Sequence, residues 1–307
     1  MVLQVIDLIK SCKVKKIGII GYNDGNGHPY SFSAIINGYD KDYMSHCPYK
    51  TIYNYLQKRN ENEFGIGNLR VTHVWTPSEK VSIDISKCTY IDNIVDKYED
   101  MAGQVDAVII ARDDVESHFK IASFFLERGT PVFIDKPLCI SFTELDYYKP
   151  FLENGLLMSC SGLRYKDEIV TSFDGELDKN DIIYANAFTL LDWNKYGIHV
   201  LEGVTPLLGS DIVNVENLNG KNHYIVKVTY SSGKYLLIQL HTDVSIGLKS
   251  YIYTSNQEFK VVFDDNFSCF KRMLEGFNTM LITGKSPIPS YETVSIIKSL
   301  IRGRNEK

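Results

Sequence analysis

The 307-residue sequence has no apolar run approaching the roughly 18 residues that cross a bilayer, so no membrane partner is expected. It has no basic excess. Lys and Arg number 33 against 38 Asp and Glu, a net charge of -5, which argues against a nucleic-acid partner. The six cysteines (Cys12, Cys47, Cys88, Cys139, Cys160 and Cys269) form no CxxC pair, which argues against a zinc ribbon or a thioredoxin-like site. Free thiols in a reducing cytoplasm are the plain expectation. No cluster has metal-ligand spacing, and no metal is expected. Internal repeats and low-complexity linkers are missing too. The first residues, MVLQVIDLIKSCKVKK, run apolar first and basic last, the reverse of a secretory signal. They read as a short amphipathic helix leading into the first strand. What is present is an ordinary globular balance, 44% hydrophobic and 23% charged, in a chain long enough for about two domains.

Residues 15–21 (KKIGIIG) read as a buried parallel strand followed by a glycine-rich turn, with a helix starting at Ser31–Gly38. A long polar, tyrosine-rich insertion follows, helical around CPYKTIYNYLQKR. The second strand comes at Arg70–Trp75. Val81–Ser86 and Thr89–Asp92 lie around a helix–loop segment, and Ile94–Ala102 reads as a further helix. Then the alternation sharpens: strand 105–111, helix 115–128 stopped by Gly129, strand 131–134, helix 142–154 ending at Gly155, and strand 156–161. Strand and helix at this spacing specify right-handed crossovers and a doubly wound α/β parallel sheet. After about residue 162 long β-rich runs replace the alternation: 182–190, 222–230, 234–243 and 250–263. Ser231–Lys234 is a hairpin turn between two of them. Helical patterns return at 267–283 and 291–302. The change of pattern sets two expected domains, 1–162 around the parallel sheet and 163–307, whose last strands point to an antiparallel sheet.

Gly21-Tyr-Asn23-Asp-Gly25-Asn26-Gly27-His28-Pro-Tyr30 follows a strand and precedes a helix. In that context a glycine turn binds a pyrophosphate, because glycine allows close approach and the helix start offers N–H groups. The spacing departs from GxGxxG: counted from Gly25, Tyr30 stands where the third glycine belongs. A tight strand–helix connection is the alternative. The second strand ends Trp75-Thr76-Pro77-Ser78-Glu79-Lys80, with no carboxylate at its tip. Ser78 and Lys80 can receive a 2′-phosphate, or Glu79 can reach a ribose, so NAD and NADP both stay open.

Three further segments carry a family resemblance. Residues 106–118 (DAVIIARDDVESH) lead into a helix and then into Val132-Phe-Ile-Asp-Lys-Pro-Leu138, where Asp135-Lys136-Pro137 stands for a Glu-Lys-Pro motif. Ser161-Gly-Leu-Arg-Tyr165 resembles a strand entering a second domain. Tyr196-Gly-Ile-His-Val-Leu-Glu202 resembles a G-x-H-x-x-D segment, with Glu202 for aspartate. In this order the motifs resemble the Gfo/Idh/MocA family of NAD(P)-dependent oxidoreductases, over nearly the whole chain. The family resemblance implies that the first domain is a Rossmann-type dinucleotide-binding domain and the second an α+β substrate-binding and dimerisation domain with an open, mostly antiparallel sheet. The resemblance implies hydride transfer between a nicotinamide and the hydroxyl or carbonyl of a sugar-like substrate. It implies cofactor contacts from Gly21, Asn23, Gly25, Asn26, Gly27, His28, Trp75, Thr76, Ala111, Arg112, Asp113, His118, Asp135 and Lys136. Substrate contacts fall to Lys136, Arg164, Trp193, Lys195, His199 and Glu202.

The chemistry agrees. Lys136 stands at the carboxyl end of a parallel strand, where a cation can stabilise a developing alkoxide. His199 is the acid/base, since its ordinary pKa permits proton transfer near neutrality. Glu202, one helical turn on, either contacts substrate, orients His199 or is solvated. Arg164 reads chiefly as an ion-pair partner, and His118 as packing at its helix start. Family members commonly carry an aspartate four residues before the histidine. Here that residue is Lys195, and a cation suits an acidic or phosphate-bearing sugar. Two other functions stay in view: a dinucleotide-binding regulatory protein without catalysis, and an enzyme that retains NAD for oxidation-assisted elimination. The Tyr- and Val-rich strands of the second sheet should leave a sticky open face. A homodimer or dimer of dimers through it is expected.

Overall fold

The computed structural model describes residues 13–190, 192–220, 224–241 and 247–304. The helix expected at the N-terminus, and Cys12 with it, lies outside the described residues. The chain divides into two compact units. One runs to Arg112 and includes Ile121–Val132. The other comprises Asp113–Lys120 and everything from Phe133 onward.

The first sheet has the order β3-β2-β1-β4-β5-β6, built from β1 (Lys15–Ile20), β2 (Leu69–Trp75), β3 (Asn93–Ile94), β4 (Ala107–Ile110), β5 (Val132–Ile134) and β6 (Leu157–Ser159). β1 pairs in parallel with β2 and β4, and β2 with β3. Both neighbours of β1 are strands, and Ile17, Ile19 and Ile20 are fully buried, which is why the run reads apolar without alternation. The crossovers use α1 (His28–Asn37), α4 (Glu79–Thr89), α5 (His118–Leu126) and α6 (Phe142–Glu153). The insertion supplies α2 (Lys41–Ser45) and α3 (Lys50–Leu56). Gly129 and Gly155 follow α5 and α6 with φ of +70° and +67°, as stops require.

One expected helix is absent. Residues 94–102 instead form the end of edge strand β3 and a 3-10 turn at Tyr98–Met101. Pairing of His73 and Val74 with Asn93 and Ile94 takes the start of the segment. The Asp100 carboxylate then accepts from the Lys97 N–H and closes a tight turn. Local periodicity lost to a sheet edge that only the tertiary fold supplies.

The second sheet has the order β12-β11-β7-β10-β9-β8. Its strands are β7 (Tyr184–Leu190), β8 (Ile212–Asn217), β9 (Tyr224–Tyr230), β10 (Tyr235–His241), β11 (Lys249–Tyr253) and β12 (Glu258–Val262). All pairs are antiparallel except β7 with β10. The expected turn at 231–234 joins β9 to β10, with Gly233 at φ +85°. The single run 250–263 is a hairpin, β11 and β12, turning at Thr254–Gln257. Helix α8 (Ile198–Leu208) packs on β7 and β11. Ala185, Ala187, Ile238 and Ile252 are fully buried on their strands. The alternate positions Tyr184, Phe188, Tyr235, Tyr251 and Tyr253 are only half-buried. α7 (Asp167–Val170), α9 (Asn266–Thr283) and α10 (Ser290–Arg302) complete the second unit.

Gly155 tests the packing of that unit. A Cβ there would overlap the Gly284 carbonyl, and the positive φ adds strain. Gly155→Ala is expected to cost about 2–4 kcal/mol, read as a lower urea midpoint with an unchanged m-value.

Candidate functional site

In the first unit the phosphate-type turn opens as β1 ends. The Gly21 N–H donates to the Trp75 carbonyl at 3.0 Å, tying the turn to the tip of β2. A side chain at Gly21 would collide with Pro29 in the first turn of α1. A side chain at Gly27 would strike Tyr49 and Ile52 of the insertion. Gly25 has φ +81° and nothing within 4 Å of where its Cβ would stand. Asn26 is buried, and its Oδ1 accepts from the His28 N–H at 2.7 Å. Gly27 caps α1 with no side chain across the helix start. His28 stacks on Phe32, 4.9 Å between ring centroids. These features suit a dinucleotide phosphate: a bare helix N-terminus, and a glycine facing open space.

Tyr30, standing for the third glycine, is buried, and its hydroxyl donates to Asp84 of α4 at 2.6 Å. Burial first, then the Asp84 carboxylate, pushes that phenol far above its ordinary range. Its position therefore carries helix–helix packing rather than close helix–strand approach. Beside the turn, Trp75, Thr76, Pro77, Glu79, Ser82, Ile83, Ile94, Val95 and Asp96 line a cavity of about 510 Å³. Trp75 is braced by its Nε1–H, which donates to the Asp96 carbonyl at 3.0 Å. Lys80 faces elsewhere, into a separate cavity with Lys87 and Tyr43. Ala111 closes on β1, its N–H donating to the Ile20 carbonyl at 2.8 Å, and Arg112 beside it is largely buried.

The second unit gathers the charged candidates. Asp135 and Lys136 are buried at the end of β5, and the Lys136–Pro137 peptide is cis. The Asp113 carboxylate lies 3.6 Å from Lys136 Nζ and 3.0 Å from Lys195 Nζ. Burial works against the Lys195 ammonium, but its hydrogen bond to Asp113 and that residue's charge hold its pKa above the ordinary lysine value. Lys195 belongs to a π-helical turn, Trp193–Gly197, which runs straight into α8. Asp192 starts the turn by accepting from the Asn194 N–H at 2.8 Å. A π turn inside a helix is frequent at functional sites. Trp193 is buried. Its Nε1–H donates to the Leu300 carbonyl at 2.8 Å, and its ring lies against Gly197 and Gly303.

His199 stands four residues past Lys195, in the first turn of α8. Its Nδ1 is 2.7 Å from Ser161 Oγ, which also accepts from the Leu163 N–H at 3.2 Å. Arg164 joins Glu202, at 2.5 Å, to Glu292 of α10, with which it also hydrogen-bonds. Glu202 is thus turned to an ion pair. Burial, reinforced by Glu292 and opposed by Arg164, pushes it up to about 7. Arg164 itself is raised above the ordinary arginine range, burial opposing and Glu202 prevailing. His118 is buried with Nδ1 3.4 Å from the Leu138 carbonyl.

Asp113, Lys136 and Lys195 are therefore one cluster, and Arg164 and Glu202 another. Ser161 and Glu292 are partners that motif reading did not assign. Ser161 lay inside a quoted motif with nothing to mark its hydroxyl, and Glu292 is 128 residues from Arg164. Among the described residues no group of His, Cys, Asp and Glu is arranged to hold a metal ion, and no helix is long and apolar enough to cross a membrane.

The class defined by this fold is a Rossmann sheet followed by an open-sheet α+β unit. Residues 49–153 match the family GFO_IDH_MocA, described as "Oxidoreductase family, NAD-binding Rossmann fold". The match spans about a third of the chain and agrees with the resemblance read from the motifs at 106–118 and 132–138. Among curated proteins no sequence relative matches the chain. Solved structures match over nearly its full length. Myo-inositol 2-dehydrogenase from Lactobacillus plantarum aligns at 15% identity and TM-score 0.70, covering 94% of this chain and 95% of its own. Scyllo-inositol dehydrogenase from Lactobacillus casei, with bound NAD(H) and scyllo-inositol, aligns at 12% and 0.69, covering 94% and 95%. UDP-N-acetylglucosamine 3-dehydrogenase from Acidithiobacillus ferrooxidans aligns at 14% and 0.70, covering 95% and 97%. At these identities the likeness is one of fold.

The raised Glu202 carboxyl has a stability signature. Its folded pKa, about 7, lies above the ordinary 4.5, so its contribution is complete below about pH 4.5 and is lost as pH rises to about 7. Urea melts across that window should show Glu202→Gln flattening the fall in stability. An unchanged slope would place the proton elsewhere.

Proposed function

We propose that the protein is an NAD-dependent dehydrogenase acting on a secondary hydroxyl of a sugar-like substrate. The observation that carries this is that one unit holds both a buried Lys136 and a His199 whose Nδ1 lies 2.7 Å from Ser161 Oγ. With Nδ1–H donated to Ser161 Oγ, the His199 Nε2 lone pair takes the hydroxyl proton as the hydride leaves the carbon. Lys136 Nζ donates to the same oxygen and stabilises its negative charge. The dinucleotide, when bound, supplies the hydride acceptor. Its phosphates are held by the turn from Gly21 to His28, and its adenosine ribose by the cavity at Trp75 and Thr76. Residues 163–307 serve as the substrate-binding and dimer-forming part.

The strand-tip cavity favours NAD over NADP. Two of its lining residues, Glu79 and Asp96, are acidic and none is basic. A 2′-phosphate there would meet like charge, whereas a ribose hydroxyl can donate to a carboxylate. The five described cysteines are buried free thiols, which suits a cytoplasmic setting. The half-buried aromatic ladder of the second sheet supports a homodimer. Tyr184 stacks on Tyr253 at 4.6 Å and on Tyr235 at 5.1 Å, while Lys227, Lys249 and Lys260 lie over the rings of Tyr235, Phe188 and Tyr251.

Three measurements check this reading. Mixing the protein with NAD and each of a panel of inositols, hexoses and UDP-sugars should give reduced-nicotinamide fluorescence with at least one. Lys136→Met should lower that rate by about 10²–10³-fold. NAD should raise the melting temperature more than NADP at equal concentration, and an equal or larger shift with NADP would refute the acidic-cavity argument. Light scattering should return twice the chain mass, and a dilute monomer would remove the dimer.

A further inference from the structure

We propose that Asp113 is a positioning residue of this site, one buried carboxylate oxygen restraining Lys136 while occupying Lys195. The proposal rests on the oxidoreductase reading for its consequence, but not for its geometry. Both contacts are to the same atom: Oδ2 lies 3.0 Å from Lys195 Nζ and 3.6 Å from Lys136 Nζ. The Asp113 and Lys136 side chains are each 6% exposed, whereas Lys195 is 37% exposed. The buried pair is therefore weakly screened, and the third partner reaches it from the solvent side.

Three consequences follow from elementary electrostatics. Two ammonium groups converging on one oxygen repel each other, so their closeness depends on the carboxylate. The cluster carries one net positive charge where the two lysines alone would carry two. And Lys195 is not a free anion receptor: a carboxylate or phosphate on a substrate must first compete with Asp113 for it. The anionic substrate expected from Lys195 in the sequence thus loses its main support, because the sequence does not show the counter-charge 82 positions earlier. Asp113 acts through Lys136. By fixing where that ammonium points, it sets how well Lys136 meets the substrate oxygen.

The arrangement makes an opposite-sign prediction. Trace labelling of the folded full-length chain with acetic anhydride, quantified by mass spectrometry, reads how readily the half-exposed Lys195 gives up its proton. Asp113→Asn should raise labelling of Lys195 by about threefold or more, because the charge holding that proton is gone. Lys136→Met should lower labelling of Lys195 by a similar factor, because a like charge has left the same oxygen. Lys195 labelling that stays the same, or moves in one direction, across both variants overturns the proposal. Should Asp113→Asn fail to fold, Lys136→Met alone still decides: no fall in Lys195 labelling rejects the shared oxygen.

Turnover adds the positioning arm. With NAD and whichever polyol of the panel is oxidised, Asp113→Asn should lower kcat about tenfold with KM nearly unchanged, and Asp113→Glu should recover part of the loss. A rise in KM at full kcat would reject the positioning role. Labelling needs no substrate, so absence of NAD reduction by every polyol would sink the dehydrogenase reading and leave the shared carboxylate standing.

Discussion

A carboxylate held out of water between two ammonium groups organises the charged half of this protein. Asp113 has only 6% of its side chain exposed, and Lys136 has no more. An ionised aspartate in that position is tolerable only with cations at hand, and a buried lysine only with an anion. The loop after β4, the end of β5 and the π turn before α8 each place one member, so none of the three can shift alone. The π turn sets the third of these positions. Its extra residue per turn changes the angle at which Lys195 leaves the helix, while Asp192 and the Trp193 indole hold its ends.

Behind this cluster a second one holds α8. Arg164 bridges Glu202 of α8 and Glu292 of α10 and is itself buried. Burial raises Glu202, and the second carboxylate on the one guanidinium, Glu292, adds to the rise. The helix is secured from three sides: this bridge, the Trp193 bond to the Leu300 carbonyl, and Ser161 on His199. Geometry at His199 is thereby set by Ser161, by Trp193 and by the Arg164 bridge. Preorganisation of this kind is what the proton transfer proposed for His199 requires, since misplacement of an ångström costs far more than the supporting bonds are worth.

The alternation of apolar runs with glycine-stopped helices from Val105 to Ser161 was legible because each signal is local: a buried strand, a 3.6-residue period, and a positive-φ glycine. The hairpin at 231–234 was legible for the same reason. Misreading came where a distant segment decided the outcome. Residues 94–102 yield to an edge strand because His73 and Val74 stand ready to pair. The run 250–263 looked continuous because Ser250, Ile252, Phe259 and Val261 are all buried, and its turn at Thr254–Gln257 carries no glycine or proline. Among the candidate residues, Lys136 and His199 are singled out by motifs, whereas the partners of Lys195 and Glu202 are not. Each depends on a counter-charge, Asp113 or Arg164 with Glu292, that sequence distance conceals.

The glycine turn shows the same rule from the other side. By spacing it is degenerate, and Tyr30 should obstruct a close helix–strand approach. Tyr30 is instead taken up by α4, where Asp84 accepts its hydroxyl, and Gly27 is the position that must stay bare because Tyr49 and Ile52 of the insertion press on it. The insertion and the altered turn are thus one structural change. Residues that crowd Gly27 from outside remove the room a side chain would need there, so the second place of the pattern, at the cap of α1, requires glycine while the third holds Tyr30. A search for spacing alone scores this turn as damaged. The packing around it scores it as rebuilt, with the helix N-terminus still bare and Gly25 still facing open space.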